Sequence, residues 1–314
     1  MMREQMKVKI STALPVPEQI RIALGLTVRK LSLLDKKDFL IEELTEPATH
    51  LLRYPGKLVR SGLLFTSAVA LGQRQEDFVD LAAAIELIHT ASLIHDDLVD
   101  DDSIRRGVEA VHSRFGIEKA VLSGDALIAK GVNLASKYGA AVVSRASEAS
   151  MAMCAGEILD MKFQKEKTPV SIDQYLDVAR LKTATFMAVS SSIVADCISH
   201  SAHDTLYQIG LNIGLSFQIR DDIMNYLGVE EPGRKPVNTD AIGFRPNVIS
   251  AMLNIRRQDA LMDAVALNNK FLDEADALLV HLEHPELFRQ YIEFLRIKWI
   301  ESAKMELGKG ANKE

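Results

Sequence analysis

Two apolar helical runs, each ending in a cluster of carboxylates, constrain this chain more than any other feature of its sequence. In the first, Leu81, Ala84, Ile85, Ile88, Ser92 and Ile94 or His95 recur mostly at spacings of three and four. That run leads straight into Asp96-Asp97-Leu98-Val99-Asp100-Asp101-Asp102. Five carboxylates within seven residues repel one another, so a folded protein seldom gathers them without a cation. On a helix, Asp96 and Asp100 lie one turn apart on one face, with Asp97 beside them. In the second run Ile209, Ile213, Ser216, Phe217 and Arg220 precede Asp221-Asp222-Ile223-Met224-Asn225. Here Asp221 and Asn225 share a face and Asp222 is adjacent. A carboxylate pair inside an apolar helix is costly unless it is paired or metal-bound. The clusters are 125 residues apart, too far for local pairing, and opposed helices would bring them together across a cavity.

The chemistry follows from the residue types. Asp96, Asp97 and Asp100 present hard oxygens suited to Mg²⁺, which takes one or two carboxylates and completes its shell with phosphate oxygens. Arg105 and Arg106 come next, and their planar forks suit phosphate. An acidic run alone is commonly a solvated helix end. Two such runs beside basic residues describe a diphosphate site. Each cluster is expected near the C-terminal end of its helix, where the macrodipole favours a cation.

No stretch alternates at period two for more than a few residues, and the expected fold class is all-α. Breaks are expected at Pro55-Gly56, Gly72-Gln73, Gly107, Thr168-Pro169, Pro232-Gly233 and Pro236, with a capped helix start at Ser171-Ile172-Asp173. The 314 residues contain no linker, repeat or low-complexity segment. Because the two acidic clusters need each other, residues 1–314 are read as one domain, with 1–38 and 309–314 expected to be mobile. A net charge of −6 argues against a nucleic-acid partner bound through a broad basic surface. The two cysteines, Cys154 and Cys197, make neither a disulfide framework nor a metal-ligand spacing, which fits a reducing, cytoplasmic setting. Met1–Leu14 lacks the apolar core of a signal peptide. The most apolar windows, Leu81–Ile94 and Ala184–Ile198, are too short to span a bilayer, so no transmembrane segment is expected. His200 and His203 have no third ligand in a matching position and are read as a surface loop.

These motifs resemble the trans-isoprenyl diphosphate synthases, or polyprenyl synthetases. The string from Ile88 through Asp96-Asp97-x-x-Asp100 to Arg105-Arg106-Gly107 resembles the family's first aspartate-rich motif, and Phe217-Gln218 with Asp221-Asp222 its second. Gly56-Lys57-Leu58-Val59-Arg60 resembles the early basic motif, and Lys182-Thr183 the lysine–threonine pair. Ala120–Asp125 and Gly156-Glu157 match in order and spacing, and the likeness covers roughly Phe39 to Asp240.

The resemblance implies a bundle of antiparallel helices around a central cavity. It also implies condensation of isopentenyl diphosphate with an allylic diphosphate, with Mg²⁺ as cofactor and a homodimer as the assembly. By it, Asp96, Asp97, Asp100 and Asp221 would bind the metal, with Asp222 supporting. Arg105, Lys182, Thr183 and Gln218 would act on the allylic side. Gly56, Lys57, Arg60, His89 and Arg106 would hold isopentenyl diphosphate, and Lys235 resembles the lysine after the second motif. The departures are Asn225 for the last aspartate, Arg245 for a lysine, Asp160 for a glutamine, and Leu58 and Ser61 in the basic motif. Ala91 and Ser92 are small, and with Ile88 they would set the floor for the growing chain. Leu127, Gly131 and Leu134 are further candidates. A trans product of about twenty carbons or longer is expected. Other readings of the same scaffold are a terpene cyclase, a prenyltransferase to another acceptor, and a non-catalytic partner subunit.

Overall fold

Apolar residues repeating at three and four build a molecule made almost wholly of helices. The structure is a computed structural model and describes residues 17–167, 169–226, 246–253, 260–293 and 295–296. The helices in chain order are α1 (Glu18–Ser32), α2 (Lys36–Phe39), α3 (Glu42–Thr49), α4 (Val59–Ala70), α5 (Val79–Asp100), α6 (Val111–Phe115), α7 (Ile117–Ala135), α8 (Ala140–Glu166), α9 (Ile172–Ala179), α10 (Thr185–Cys197), α11 (His203–Tyr226), α12 (Val248–Leu253) and α13 (Ala260–Leu278). The all-α expectation holds. The strand content among the described residues is one hairpin, β1 (Ile104–Arg105) with β2 (Val108–Glu109). Its two-residue turn is Arg106-Gly107, at φ 54° and 79°. Both values match the left-handed turn that suits a twisted hairpin.

Two helices are buried nearly all round and carry the site. Every residue of α5 from Leu81 to Ile88 is buried, as is every residue of α10 from Phe186 to Ala195, the pattern of core helices. Around α5 pack α1, α4 and α7, and around α10 pack α4, α8 and α11. Phe65 and Phe186 are fully buried in the cluster that includes α5. Each such side chain contributes roughly 1.5–3 kcal/mol by leaving water. By length and composition Gln75–Asp100 is apolar enough to cross a membrane, but most of that run is packed inside the protein.

Within residues 17–38, the first helix packs its apolar face on the core. Ile20, Ala23, Leu24, Thr27, Val28 and Leu31 of α1 are buried against α4 and α5. Their spacing of three and four was visible in the sequence and is the physical reason the segment is held. Ser171 caps α9 as expected, with Gln174 as its reciprocal partner: Ser171 Oγ accepts from the Gln174 amide and the Gln174 side chain accepts from the Ser171 amide.

Candidate active site

The first acidic cluster ends its helix, α5 stopping at Asp100, and the second lies in the last described turns of α11. The backbone between α9 and α10 widens into a π-helical turn over Arg180–Ala184, and Lys182 and Thr183 lie in it. Such turns are rare and concentrate at functional sites. Lys182 Nζ stands 2.6 Å from Glu157, 2.8 Å from Asp160 and 3.7 Å from Asp96. Burial works against its ammonium form, but Asp96, Asp160 and Glu157 outweigh it and raise its pKa. Burial also pushes the Glu157 carboxyl up, with Lys182 opposing and Asp96 adding to the shift.

The neighbouring residue reaches the second cluster. Thr183 Oγ1 donates to Gln218 Oε1 at 2.8 Å, Gln218 Nε2 donates to Asp222 Oδ1 at 3.0 Å, and the Val248 amide donates to Asp222 Oδ2 at 2.9 Å. A cleft lined by Asp160, Tyr175, Lys182, Gln218, Asp222 and Pro246 holds Asp222 of the second cluster, and Lys182 on its wall reaches toward Asp96 of the first. Burial, with Asp222 nearby, holds the Tyr175 phenol well above its ordinary pKa.

Two of the expected metal ligands, Asp97 and Asp222, have buried carboxylates with partners inside the protein. Asp97 is fully buried, and its Oδ1 accepts from Arg105 Nε at 2.6 Å and from Arg105 Nη2. One residue past Asp96, a helix turns by about 100°, which carries Asp97 away from the face of Asp96 and Asp100. Burial raises the Asp97 pKa while Arg105 pulls it down, and the net shift is upward. Asp222 is buried as well, and it spends both oxygens on Gln218 and on the start of α12.

The residues assigned to isopentenyl diphosphate converge on the other side of α5. Arg60 Nη1 donates to His89 Nε2 at 3.1 Å, so the imidazole proton belongs on Nδ1, which is buried without a partner among the described residues. The Arg60 guanidinium lies 5.3 Å over the Phe186 ring, and burial lowers its pKa to about 10. Arg106 turns back to donate to the carbonyls of Leu51 and Tyr54 at 3.3 and 3.0 Å. A Cβ on Gly56 would come within 3.0 Å of its Nη2. Lys57 precedes Leu58, whose left-handed φ of 51° opens α4. Of the floor candidates, Ala91 and Ile88 are buried, and Ile88 packs against Gly131 of α7. Ser92 shares the face of Asp96 and donates to the His89 carbonyl at 2.8 Å. Lys235 and Arg245 lie outside the described residues.

Sequence reasoning missed the grip of Glu157 and Asp160 on Lys182. The i, i+3 spacing of the two acids on α8 was the available signal. It also missed Glu86, buried on α5, which accepts from Ser61 Oγ at 2.7 Å beneath Arg60. Gly156 explains why α8 passes so near the π turn. A Cβ there would sit 2.4 Å from the Lys182 nitrogen and 2.8 Å from its Cα. Gly156→Ala should therefore displace Lys182, costing about 1–3 kcal/mol of stability as overpacking. Thermal unfolding and kcat/KM, measured together, check this.

His89 gives a pH prediction. Burial, then the charges of Arg60, Arg106 and Arg105, depress its pKa well below 6.5. A depressed folded pKa means that stability is fully present above the unfolded value and is lost as pH falls below it. Unfolding free energy should therefore fall below about pH 6.5 by at most about 1.4 kcal/mol per pH unit. The drop should be smaller in His89→Gln, as denaturant titrations at several pH values would show.

The donor set fits Mg²⁺. Asp96 and Asp100 offer half-exposed carboxylates one turn apart at a helix C-terminus, and Asp96 already faces a cation in Lys182.

Comparison with known proteins identifies the family. The model of the polyprenyl synthetase family matches residues 41–276. A geranylgeranyl pyrophosphate synthase of Geoglobus acetivorans is 35% identical over 62% of this chain and 63% of its own length, so the chain spans less than two thirds of that relative. A geranylgeranyl diphosphate synthase of Methanosarcina mazei is 30% identical over 85% of this chain and 83% of its own. The crystal structure of a polyprenyl synthase from Caulobacter crescentus, complexed with calcium and isoprenyl diphosphate, superposes with a TM-score of 0.77 at 25% identity. That match covers 88% of this chain and 95% of the other. The chain belongs to the polyprenyl synthetase family.

Proposed function

We propose that the protein is a Mg²⁺-dependent prenyltransferase that joins isopentenyl diphosphate to an allylic diphosphate, giving a trans product of about twenty carbons or longer. The observation that carries this reading is the π turn, whose Lys182 stands 3.7 Å from Asp96 of the first cluster while its Thr183 donates to Gln218, the partner of Asp222 in the second. Geranylgeranyl diphosphate synthases among the relatives support the product class.

Asp96, Asp100 and Asp221 would hold Mg²⁺, which when bound supplies positive charge to the departing diphosphate. Lys182 and Arg105 add fixed cations on the allylic side. Gly56, Lys57, Arg60, His89 and Arg106 hold the diphosphate of isopentenyl diphosphate, with Lys235 adding charge. The buried side chains beyond the cleft exclude water from the allylic cation, and the Thr183 carbonyl and Gln218 amide turn dipoles toward it. Proton loss to the released diphosphate ends the step, so no protein nucleophile is needed. Ile88, Ala91 and Ser92 bound the growing chain.

A homodimer is supported by α8, which buries only Val142, Ala146, Ala149 and Gly156 along 27 residues while Met151 and Ile158 stand exposed. The free thiols Cys154 and Cys197 fit a reducing compartment.

The test is incubation of the protein with Mg²⁺, isopentenyl diphosphate and allylic diphosphates of increasing length, with products identified by mass after phosphate removal. A ladder ending at one length is expected. Hydrocarbon or cyclic alcohol released from the allylic substrate alone, before phosphate removal, would establish a cyclase instead, and no product would leave a partner subunit.

A further inference from the structure

The hairpin that carries Arg106 in its turn is held from outside on both strands. On β1, Arg105 donates to Asp97. On β2, His50 Nε2 stands 2.8 Å from the Glu109 carbonyl oxygen. A carbonyl can only accept, so Nε2 carries the proton and donates it. The ladder itself shows why this bond matters. The Ala110 amide donates to the Ser103 carbonyl at 2.9 Å, so the next pair, Ile104 and Glu109, turns its amides and carbonyls outward. The Glu109 carbonyl cannot be satisfied inside the hairpin, and His50 satisfies it.

His50 is firmly seated. It is 4% exposed, between α3 and a short 3-10 turn at Leu51–Arg53. Its ring lies edge-on to Tyr54, with centroids 6.0 Å apart, and to Phe115 at 5.4 Å. Arg106 makes the return connection, donating from the hairpin to the carbonyls of Leu51 and Tyr54. Two links of opposite direction thus join the hairpin to the segment after α3. That segment runs on into Gly56 and Lys57, and Gly56 leaves room for the Arg106 guanidinium. Arg106 itself has φ 54°, a conformation that an L residue keeps only where its surroundings hold it.

We propose that His50 is a positioning residue for isopentenyl diphosphate, an inference that rests on the prenyltransferase reading. It acts through Arg106. By tying β2 to the segment after α3, it fixes the gap between Arg106 and Lys57 in which the diphosphate must fit. A planar guanidinium fork gains most from being held in place before the ligand arrives. The Asp97–Arg105 pair cannot do this alone, since it holds only β1 and leaves the other strand free to swing.

The experiment is calorimetric titration of isopentenyl diphosphate into the whole protein, as wild type, His50→Gln and His50→Met. The two substitutions match in length, and only glutamine keeps a donor near the place of Nε2. His50→Met should weaken binding by about tenfold, the effect of one well-placed hydrogen bond. His50→Gln should stay within about threefold of the wild type, and both should melt alike. In the condensation assay the KM for isopentenyl diphosphate should rise in His50→Met while that for the allylic diphosphate holds. Added to Arg106→Gln, His50→Met should weaken binding little further, because its effect passes through Arg106. Wild-type affinity in His50→Met, equal losses in the two substitutions, or full additivity with Arg106→Gln would overturn the proposal. So would a wild type that binds no isopentenyl diphosphate. If His50→Met does not fold, His50→Phe, which keeps a ring but loses the donor, takes its place. The product assay on the wild type judges the prenyltransferase reading without any of these titrations, so the two failures are distinguishable.

Discussion

Asp96→Ala is expected to lower kcat/KM by about a thousandfold or more while leaving the melting temperature close to that of the parent. The carboxylate lies at the C-terminal end of α5, beside Asp97 and one turn before Asp100, so its removal relieves repulsion as well as an unfavourable place on the helix dipole. Lys182 keeps Glu157 and Asp160 when Asp96 is gone. Fold and function should therefore separate cleanly in this variant. Steady-state kinetics and a thermal melt measure the two sides, and retained turnover would remove Asp96 from the proposed metal site.

Asp97→Ala should behave in the opposite way. Its carboxylate is fully buried beneath Arg105, and removing it strands a guanidinium that is itself largely buried. Breaking such a pair costs about 3–5 kcal/mol. Asp102 at 3.5 Å and Asp96 at 3.8 Å should hold the loss toward the lower end. Truncating both partners should recover part of it, the signature of coupling in a double-mutant cycle. If Asp97→Ala melts like the parent and loses only activity, the residue is a ligand after all.

The difference between these neighbours shows what the sequence could and could not convey. Periodicity alone located α5, α11 and the acidic ends of both, because burying an apolar run and terminating it in charge leaves few alternatives. The order of motifs found Lys182-Thr183. What escaped depended on contacts distant in sequence. Asp97 follows Asp96 directly, yet a rotation of about 100° and a hairpin returning Arg105 set its carboxylate against a guanidinium. Asp222 reads as half of an acidic pair until the start of α12 arrives to use its oxygen. The π turn has no spacing signature, and Gly156 makes sense only once α8 is seen against it. The burial of α1 was legible in its own apolar spacing, although it lies outside the ordered motifs.

The crowding of Asp96, Glu157 and Asp160 on Lys182 has a thermodynamic consequence for substrate entry. The resting cleft works as an ion exchanger rather than as a vacant basic pocket, since its cation already has internal counter-ions. A diphosphate arriving alone would draw Lys182 away and leave three carboxylates confronting each other. A divalent cation arriving alone would compete with Lys182 for the same oxygens. Each ligand removes the penalty that the other incurs, so the two should bind with mutual enhancement by a single shared factor.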